Sequence, residues 1–200
     1  MYLDFKENYT LENERVLLRP LAEDDLDHLL PFALHEPDLW RFSLVSAAGR
    51  QGMQDYIAIA LLGRQMKMEY PFIVYDKRSK AYAGCTRFYD ILLDYDTLQL
   101  GYTWYGSDFH GTGLNKNCKY LLLSLAFDRL NCIRVEFRAD NDNSRSIAAM
   151  KSIGCKVDGI LRSNMPKSPA GRRDSIILSI LQSEWNNGLK VALAEKIRAI

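Results

Sequence analysis

The chain of 200 residues has no run approaching the ~20 consecutive apolar residues that a membrane-spanning helix needs. Its first residues, Met1-Tyr2-Leu3-Asp4-Phe5-Lys6-Glu7, lack the basic-then-apolar plan of a secretory leader. Together these absences predict a cytoplasmic protein with no membrane partner. An excess of one charge is missing too. With 26 basic against 25 acidic residues and no dense Lys/Arg stripe in either half, the chain is not expected to bind nucleic acid. Cys85, Cys118, Cys132 and Cys155 stand far apart with no C-x-x-C pair, so neither a structural zinc site nor any other metal is expected. The four thiols are read as small buried hydrophobes, with Cys155, next to Gly154, the one that has a case for reactivity. Internal repeats and low-complexity segments are absent. A length of 200 residues suffices for one well-buried domain, so residues 1–200 are read as a single unit with its core at about 15–186 and a tail helix at about 188–200.

What the chain does have is His110-Gly111-Thr112-Gly113-Leu114-Asn115, a turn with two glycines. Before it, residues 98–105 are apolar, aromatic and β-branched, which suits a strand. After it, Leu114, Cys118, Leu121, Leu122, Leu125 and Ala126 repeat at helical spacing, and Asn131 follows as a left-handed stop. Strand, glycine turn, helix leaves free N–H groups at a helix start, where the dipole favours an anion such as phosphate. The spacing matches neither G-x-x-x-x-G-K-[ST] nor G-x-G-x-x-G. Lys116 and Lys119 near the helix start oppose the dipole, which a bound polyphosphate would offset. The competing reading is a connecting turn with two solvated lysines.

Along the rest of the chain, residues 15–21 read as a first strand and Ala22-Glu23-Asp24-Asp25 as a helix start. Leu26, Leu29, Leu30, Ala33 and Leu34 supply that helix's apolar face. Residues 37–42 form a loop, and a second helix carries Tyr56, Ile57, Ala60, Leu61 and Arg64. Residues 71–75 and 82–89 are antiparallel neighbours around a charged turn. Residues 133–138 alternate as a half-buried strand, and 143–153 form a helix stopped by Gly154. Residues 157–161 and 175–181 close the sheet around a mobile loop at 163–173. A helix between the strands at 98–105 and 133–138 makes that pair parallel, so the class is α+β with a mixed sheet. Asn143 and Ser144 serve as caps for the helix they precede, or belong to a ligand crevice beside the glycine turn.

These residues carry a resemblance to the GCN5-related N-acetyltransferase (GNAT) superfamily, and within it to the ribosomal-protein-alanine acetyltransferase (RimJ/RimL-type) branch. Arg15-Val16-Leu17-Leu18-Arg19-Pro20-Leu21 resembles the opening strand and Leu100-Gly101-Tyr102-Thr103-Trp104 the fourth. Gly111-Thr112-Gly113 resembles the core of the pyrophosphate loop. Asp140, Asn143, Ser146 and Gly154 resemble the following helix segment, and Arg173-Asp174-Ser175 with Glu184-Trp185 the closing strand. The resemblance implies a mostly antiparallel mixed sheet of about seven strands flanked by helices, with the fourth and fifth splayed apart and Gly101 forming the bulge. It also implies acetyl-CoA as co-substrate and a primary amine as acceptor, either a protein N-terminus or a small molecule. A homodimer is compatible with it.

On that basis the backbones of Tyr102, Thr103 and Trp104 face the acyl arm, and one of their N–H groups serves the thioester oxygen. His110, Gly111, Thr112, Gly113 and Leu114 hold the pyrophosphate. Asn143 and Ser146 lie by the pantetheine arm, with the Ser146 hydroxyl offered to the sulfur as general acid. Trp40, Phe42 and Tyr89, with Tyr102 and Trp104, line the acceptor pocket or else belong to the core. The chain departs from the wider pattern at three places. Met150 stands where a tyrosine acid is common, Gln99 where a glutamate base is common, and Asp108 where a basic or glutamine residue precedes the loop. Base candidates are therefore His110, Glu136, Asp140, Asp174 or water. The alternative these departures support is a non-catalytic CoA-binding or sensing domain.

Overall fold

The computed structural model describes residues 1–167 and 170–199. Alternating and apolar runs become β1 (Leu11–Glu12), β2 (Val16–Pro20), β3 (Tyr70–Asp76), β4 (Ala81–Leu92), β5 (Thr97–Tyr105), β6 (Arg134–Asp140), β7 (Lys156–Pro166) and β8 (Arg172–Leu181). They form one sheet of eight strands in the order β1-β2-β3-β4-β5-β6-β8-β7. About seven strands were expected, and the two-residue β1 is the addition. The expected fourth and fifth strands are thus β5 and β6. That pair is parallel and the other pairings are antiparallel.

Helices α1 (Leu26–His35), α2 (Gly49–Gln65), α3 (Leu114–Ser124), α4 (Ser144–Ser152), α5 (Gln182–Glu184) and α6 (Lys190–Arg198) complete the fold. Successive strand residues point to opposite faces, which separates two cores. Phe72 and Val74 pack with Leu114, Cys118 and Leu122 of α3, whereas Ile73 between them packs with Leu29, Tyr56 and Ile57 of α1 and α2. Leu34, expected on the buried face of α1, is instead 53% exposed. The central helix ends in a π turn, Leu125–Arg129, and Asn131 takes the expected left-handed backbone at φ 57°.

The loop expected at 163–173 is mostly strand. β7 runs on to Pro166 and β8 begins at Arg172, with Met165 opposite Arg173. Lys156, Asp158, Gly159, Arg162, Ser163 and Asn164 break up the apolar positions of β7. The strand lies exposed at the sheet edge, so no apolar alternation marks it. Ser168 and Pro169, from the expected loop, and Ile200, from the expected tail, lie outside the described residues.

Two local features shape the centre of the sheet. The pairs Cys85↔Trp104 and Arg87↔Gly101 leave one residue on β4 facing two on β5, a β-bulge. The strained residue in it is Tyr102, at φ 47°, not the expected Gly101. The bulge advances the alternation by one residue. Leu98, Leu100 and Tyr105 therefore face the α3 core while Trp104 faces α1 and α2. Opposite, Gly84 sits at φ 151°, and a Cβ there would collide with the carbonyl oxygen of Trp104. Gly84→Ala is expected to destabilise the fold by about 3 kcal/mol, from left-handed strain plus that collision. Urea unfolding of the variant checks this.

Candidate active site

β5 and β6 pair only at Thr97↔Arg134, Leu98↔Val135 and Gln99↔Glu136. Beyond that point the bulge bends β5 away, and the facing backbones of the two strands part. The wedge opens into a cavity of about 890 Å3. Backbone polar groups without partners are costly unless a ligand or water pairs them, so the parted strands leave pairing positions that their own ladder does not fill.

At the mouth of the wedge stands the glycine turn. Gly111 and Gly113 take φ 73° and 86°, which lets the chain turn directly into α3. A Cβ on Gly111 would meet no atom within 4 Å, so a bulky anion has room to approach the backbone there. Among the described residues, the N–H groups of Gly111, Thr112, Gly113, Asn115 and Lys116 donate to no protein acceptor. The Leu114 N–H is partly met by Thr112 Oγ1 at 3.4 Å, and Thr112 Oγ1 itself donates to Phe109 O at 2.9 Å. Thr112 and Leu114 are the two expected binding residues that do not line the cavity, and the Leu114 side chain is fully buried in the core.

The other expected residues do come together. Tyr102, Thr103, Trp104, His110, Gly111 and Gly113 line one side of the cavity. Asn143 and Ser146 line the other, near the start of α4. Asn143 Oδ1 accepts the Ser146 N–H at 3.1 Å, so its cap role and its place in the crevice coexist. Among the described residues the Ser146 hydroxyl has no protein partner. Trp40, Phe42 and Tyr89 form the far wall. Trp40 is both wall and core, packed edge-on to Trp104 at 4.9 Å, and Arg173 Nη1 holds the Phe42 carbonyl at 3.2 Å. Tyr89 meets Tyr102 edge-on at 5.0 Å.

The sequence-named bases fare differently. His110 lines the cavity, but both its ring nitrogens are engaged. Nδ1 lies 3.1 Å from Arg145 Nη1, so it accepts, and Nε2 donates to Tyr105 O at 2.8 Å. Glu136 is held by Arg134 at 3.0 Å and Arg138 at 2.8 Å and does not reach the cavity. Asp174 Oδ1 accepts the Ser163 N–H at 2.8 Å, away from it. Asp140 lines the cavity but is buried, with one oxygen on the Asp142 N–H at 2.9 Å. Gln99 is buried at the apex of the wedge, and Met150 lines its floor.

Sequence reading missed the roles of two cations that grip the bulge. On the α2 face, Arg87 is buried, pairs with Glu69 at 2.5 Å, and lies against the Tyr102 and Tyr56 rings at 4.2 and 4.7 Å. On the α3 face, Lys119 is neither solvated nor at the turn. Its Nζ donates to Thr103 Oγ1 at 2.7 Å and Thr86 Oγ1 at 3.2 Å. A signal existed. Lys119, Leu122, Leu123 and Ala126 follow i, i+3, i+4, i+7, which puts the lysine in an apolar helical stripe. The thiols are all buried, and burial pushes Cys155 up to about 12, which removes its case for reactivity. Among the described residues no group of three or more His, Cys, Asp or Glu side chains is arranged to hold a metal, and no helix is long and apolar enough to cross a membrane.

Comparison with known proteins points the same way. The sequence profile described as "Acetyltransferase (GNAT) domain" matches residues 15–156. The uncharacterized N-acetyltransferase p20 of Bacillus licheniformis is 23% identical over 181 residues, spanning 88% of this chain and 98% of that protein. A candidate acetyltransferase from T. thermophilus is similar in structure, with TM-score 0.85 and 27% identity over 98% of this chain and 99% of that one. Mycobacterium smegmatis RimJ, solved with CoA-disulfide, shares the fold at TM-score 0.78 and 16% identity, over 94% of this chain and 93% of that one. With its profile match spanning most of the sequence and its parted β5 and β6 beside a glycine turn, the chain belongs to the GNAT acetyltransferase family.

Proposed function

We propose that this protein transfers the acetyl group of acetyl-CoA to a primary amine, the amine being a protein N-terminus as in the RimJ/RimL-type branch. The observation that carries the reading is the parting of β5 and β6 beside a turn of free N–H groups, both opening into one cavity. The wedge suits the amide-bearing arm of the acyl donor, and the turn suits its pyrophosphate. Lys116 and Arg145 line the same end of the cavity and add positive charge there.

The chemistry asks for alignment, a donor to the thioester oxygen, and a path for protons. One backbone N–H at the bulge, among residues 102–104, serves the oxygen. Ser146 gives a hydrogen bond to the sulfur. A serine hydroxyl holds its own proton tightly, so that bond is its whole contribution. His110 acts as a positioning residue for the turn, because neither ring nitrogen is free to take a proton. The attacking amine gives its proton to water in the open mouth of the cavity.

The acceptor wall favours a peptide end over a polyamine. Its carboxylates are Asp38, Asp90 and Asp140, set against Arg41, Arg138 and Arg173 on the same cavity, so no excess of negative charge recruits a polycation. Trp40, Phe42, Tyr89 and Tyr102 offer flat apolar surface to the residues that flank an N-terminal amine.

Three outcomes test this reading. Asp and Asn both tolerate a left-handed backbone, so Gly111→Asp and Gly111→Asn differ mainly in charge. The Asp variant is expected to weaken acetyl-CoA binding at least about tenfold more than the Asn variant in titration calorimetry, because a carboxylate then opposes the pyrophosphate. Equal affinities would remove the turn from the binding site. Ser146→Ala is expected to slow transfer about tenfold with CoA affinity nearly unchanged, the loss of one hydrogen bond to a charge-bearing atom. Peptides with a free N-terminus are expected to turn over, whereas N-blocked peptides and polyamines are not. CoA binding without turnover of any amine would establish the non-catalytic alternative.

A further inference from the structure

Lysine is rarely found in a protein interior without a partner of opposite charge. Lys119 is only 4% exposed, and it makes no ion pair among the described residues. The groups that face its Nζ come from every element around it. They are Thr86 of β4, Thr103 of β5, Cys118 of α3 itself, and Cys155 from the turn before β7. None of these is an anion, since burial pushes both thiols up to about 12. Burial likewise pushes Lys119 down to about 8. An ammonium carries three N–H donors, and two are accepted by the threonine hydroxyls. The third has no protein partner among the described residues, and Lys119 lines the cavity.

A buried cation with a spare N–H is stabilised by any negative charge that arises beside it. In acyl transfer from a thioester, such charge arises on the sulfur as its bond to carbon breaks. Two cavity residues that the acetyl-CoA reading sets by the sulfur supply no ready proton. Met150 has none, and Ser146 holds its own too tightly. Resting on the acetyl-CoA reading above, we propose that Lys119 is the proton donor to the departing sulfur of CoA, carried beneath the bulge by Thr86 and Thr103. The amine nitrogen bonds to the acetyl carbon, and the carbon–sulfur electron pair goes to sulfur. The sulfur takes a proton from the Lys119 ammonium. The proton lost by the amine passes to water, and neutral Lys119 regains one from solvent through the cavity. Amine and acetyl-CoA thus become amide and CoA thiol.

The test titrates CoA bound to the wild-type protein, following the ultraviolet absorbance of its thiolate against pH. Calorimetry reports CoA affinity in parallel. With Lys119 beside the sulfur, the bound thiol is expected to ionise about one pH unit below free CoA. In Lys119→Met that shift disappears and kcat falls about 100-fold, while CoA affinity and melting temperature stay close to wild type. The wild-type kcat is also expected to fall as pH rises through about 8, because Lys119 loses the proton it donates, and the variant lacks this limb. A bound thiol that ionises at or above the pH of free CoA overturns the proposal on the wild-type protein alone, whatever the variant does. A variant that keeps its kcat overturns it too, and one that loses CoA affinity in step with kcat shows a purely structural lysine. Failure of the wild-type protein to bind CoA at all strikes the acetyl-CoA reading itself, and this inference with it.

Discussion

Between the Cys85–Trp104 and Arg87–Gly101 pairs, β5 takes three steps where β4 takes two. The surplus residue has to go somewhere, and the chain accommodates it by holding Tyr102 in a left-handed backbone that costs an aromatic residue roughly 1–2 kcal/mol. That strain is held from both sides of the sheet. Arg87, fixed by Glu69, lies against the Tyr102 ring from the α2 face, and the Tyr56 hydroxyl reaches the Tyr102 carbonyl at 3.5 Å. Lys119 draws Thr103 and Thr86 together from the α3 face. The cleft depends on this bulge. Were residues 101–104 to alternate regularly instead of bulging, Trp104 would face the α3 core instead of Trp40 and Tyr56.

Much of this was legible in the amino-acid order. The strand at residues 98–105, the glycine turn, and the periodic helix ended by Asn131 appear where composition and spacing placed them. Local signals of this kind depend on a few neighbouring residues, so one sequence suffices to read them. What escaped depends on contacts between distant segments. Gly101 was the natural choice for the bulge because glycine tolerates any backbone. Yet its freedom serves instead to make room for the Tyr89 ring, which an added Cβ would meet at 2.8 Å. Tyr102 takes the strain because Arg87, fifteen positions away in the chain, holds its ring. The extension of β7 and β8 escaped for another reason. An exposed edge strand buries little, so its sequence carries no apolar alternation to read.

The candidate site shows the same division. All the binding residues chosen by resemblance except Thr112 and Leu114 line one cavity, because backbone geometry at a turn and a splayed strand pair is set by glycines and by topology. Side-chain roles are less transferable. His110 has a ring with the right chemistry for a base, but Arg145 and the Tyr105 carbonyl occupy both nitrogens. Glu136 has the right charge, but two arginines neutralise it outside the cavity. Charge and hydrogen bonding at each group are decided by its partners, and those partners lie on other elements.

The four cysteines acquire a meaning once the cleft is placed. On the acetyl-CoA reading each turnover releases a free thiol, whose oxidised form would form mixed disulfides with any reactive sulfur on the protein. Exchange requires a thiolate on the protein. Here Cys85, Cys118, Cys132 and Cys155 are all buried, and burial raises each of them, to about 11 for Cys132 and about 12 for Cys118 and Cys155. Not one of the four is among the described residues that line the cavity. The chain thus keeps sulfur in its interior as packing material, and on the acetyl-CoA reading the described lining of the cleft offers the thiol product no sulfhydryl to capture.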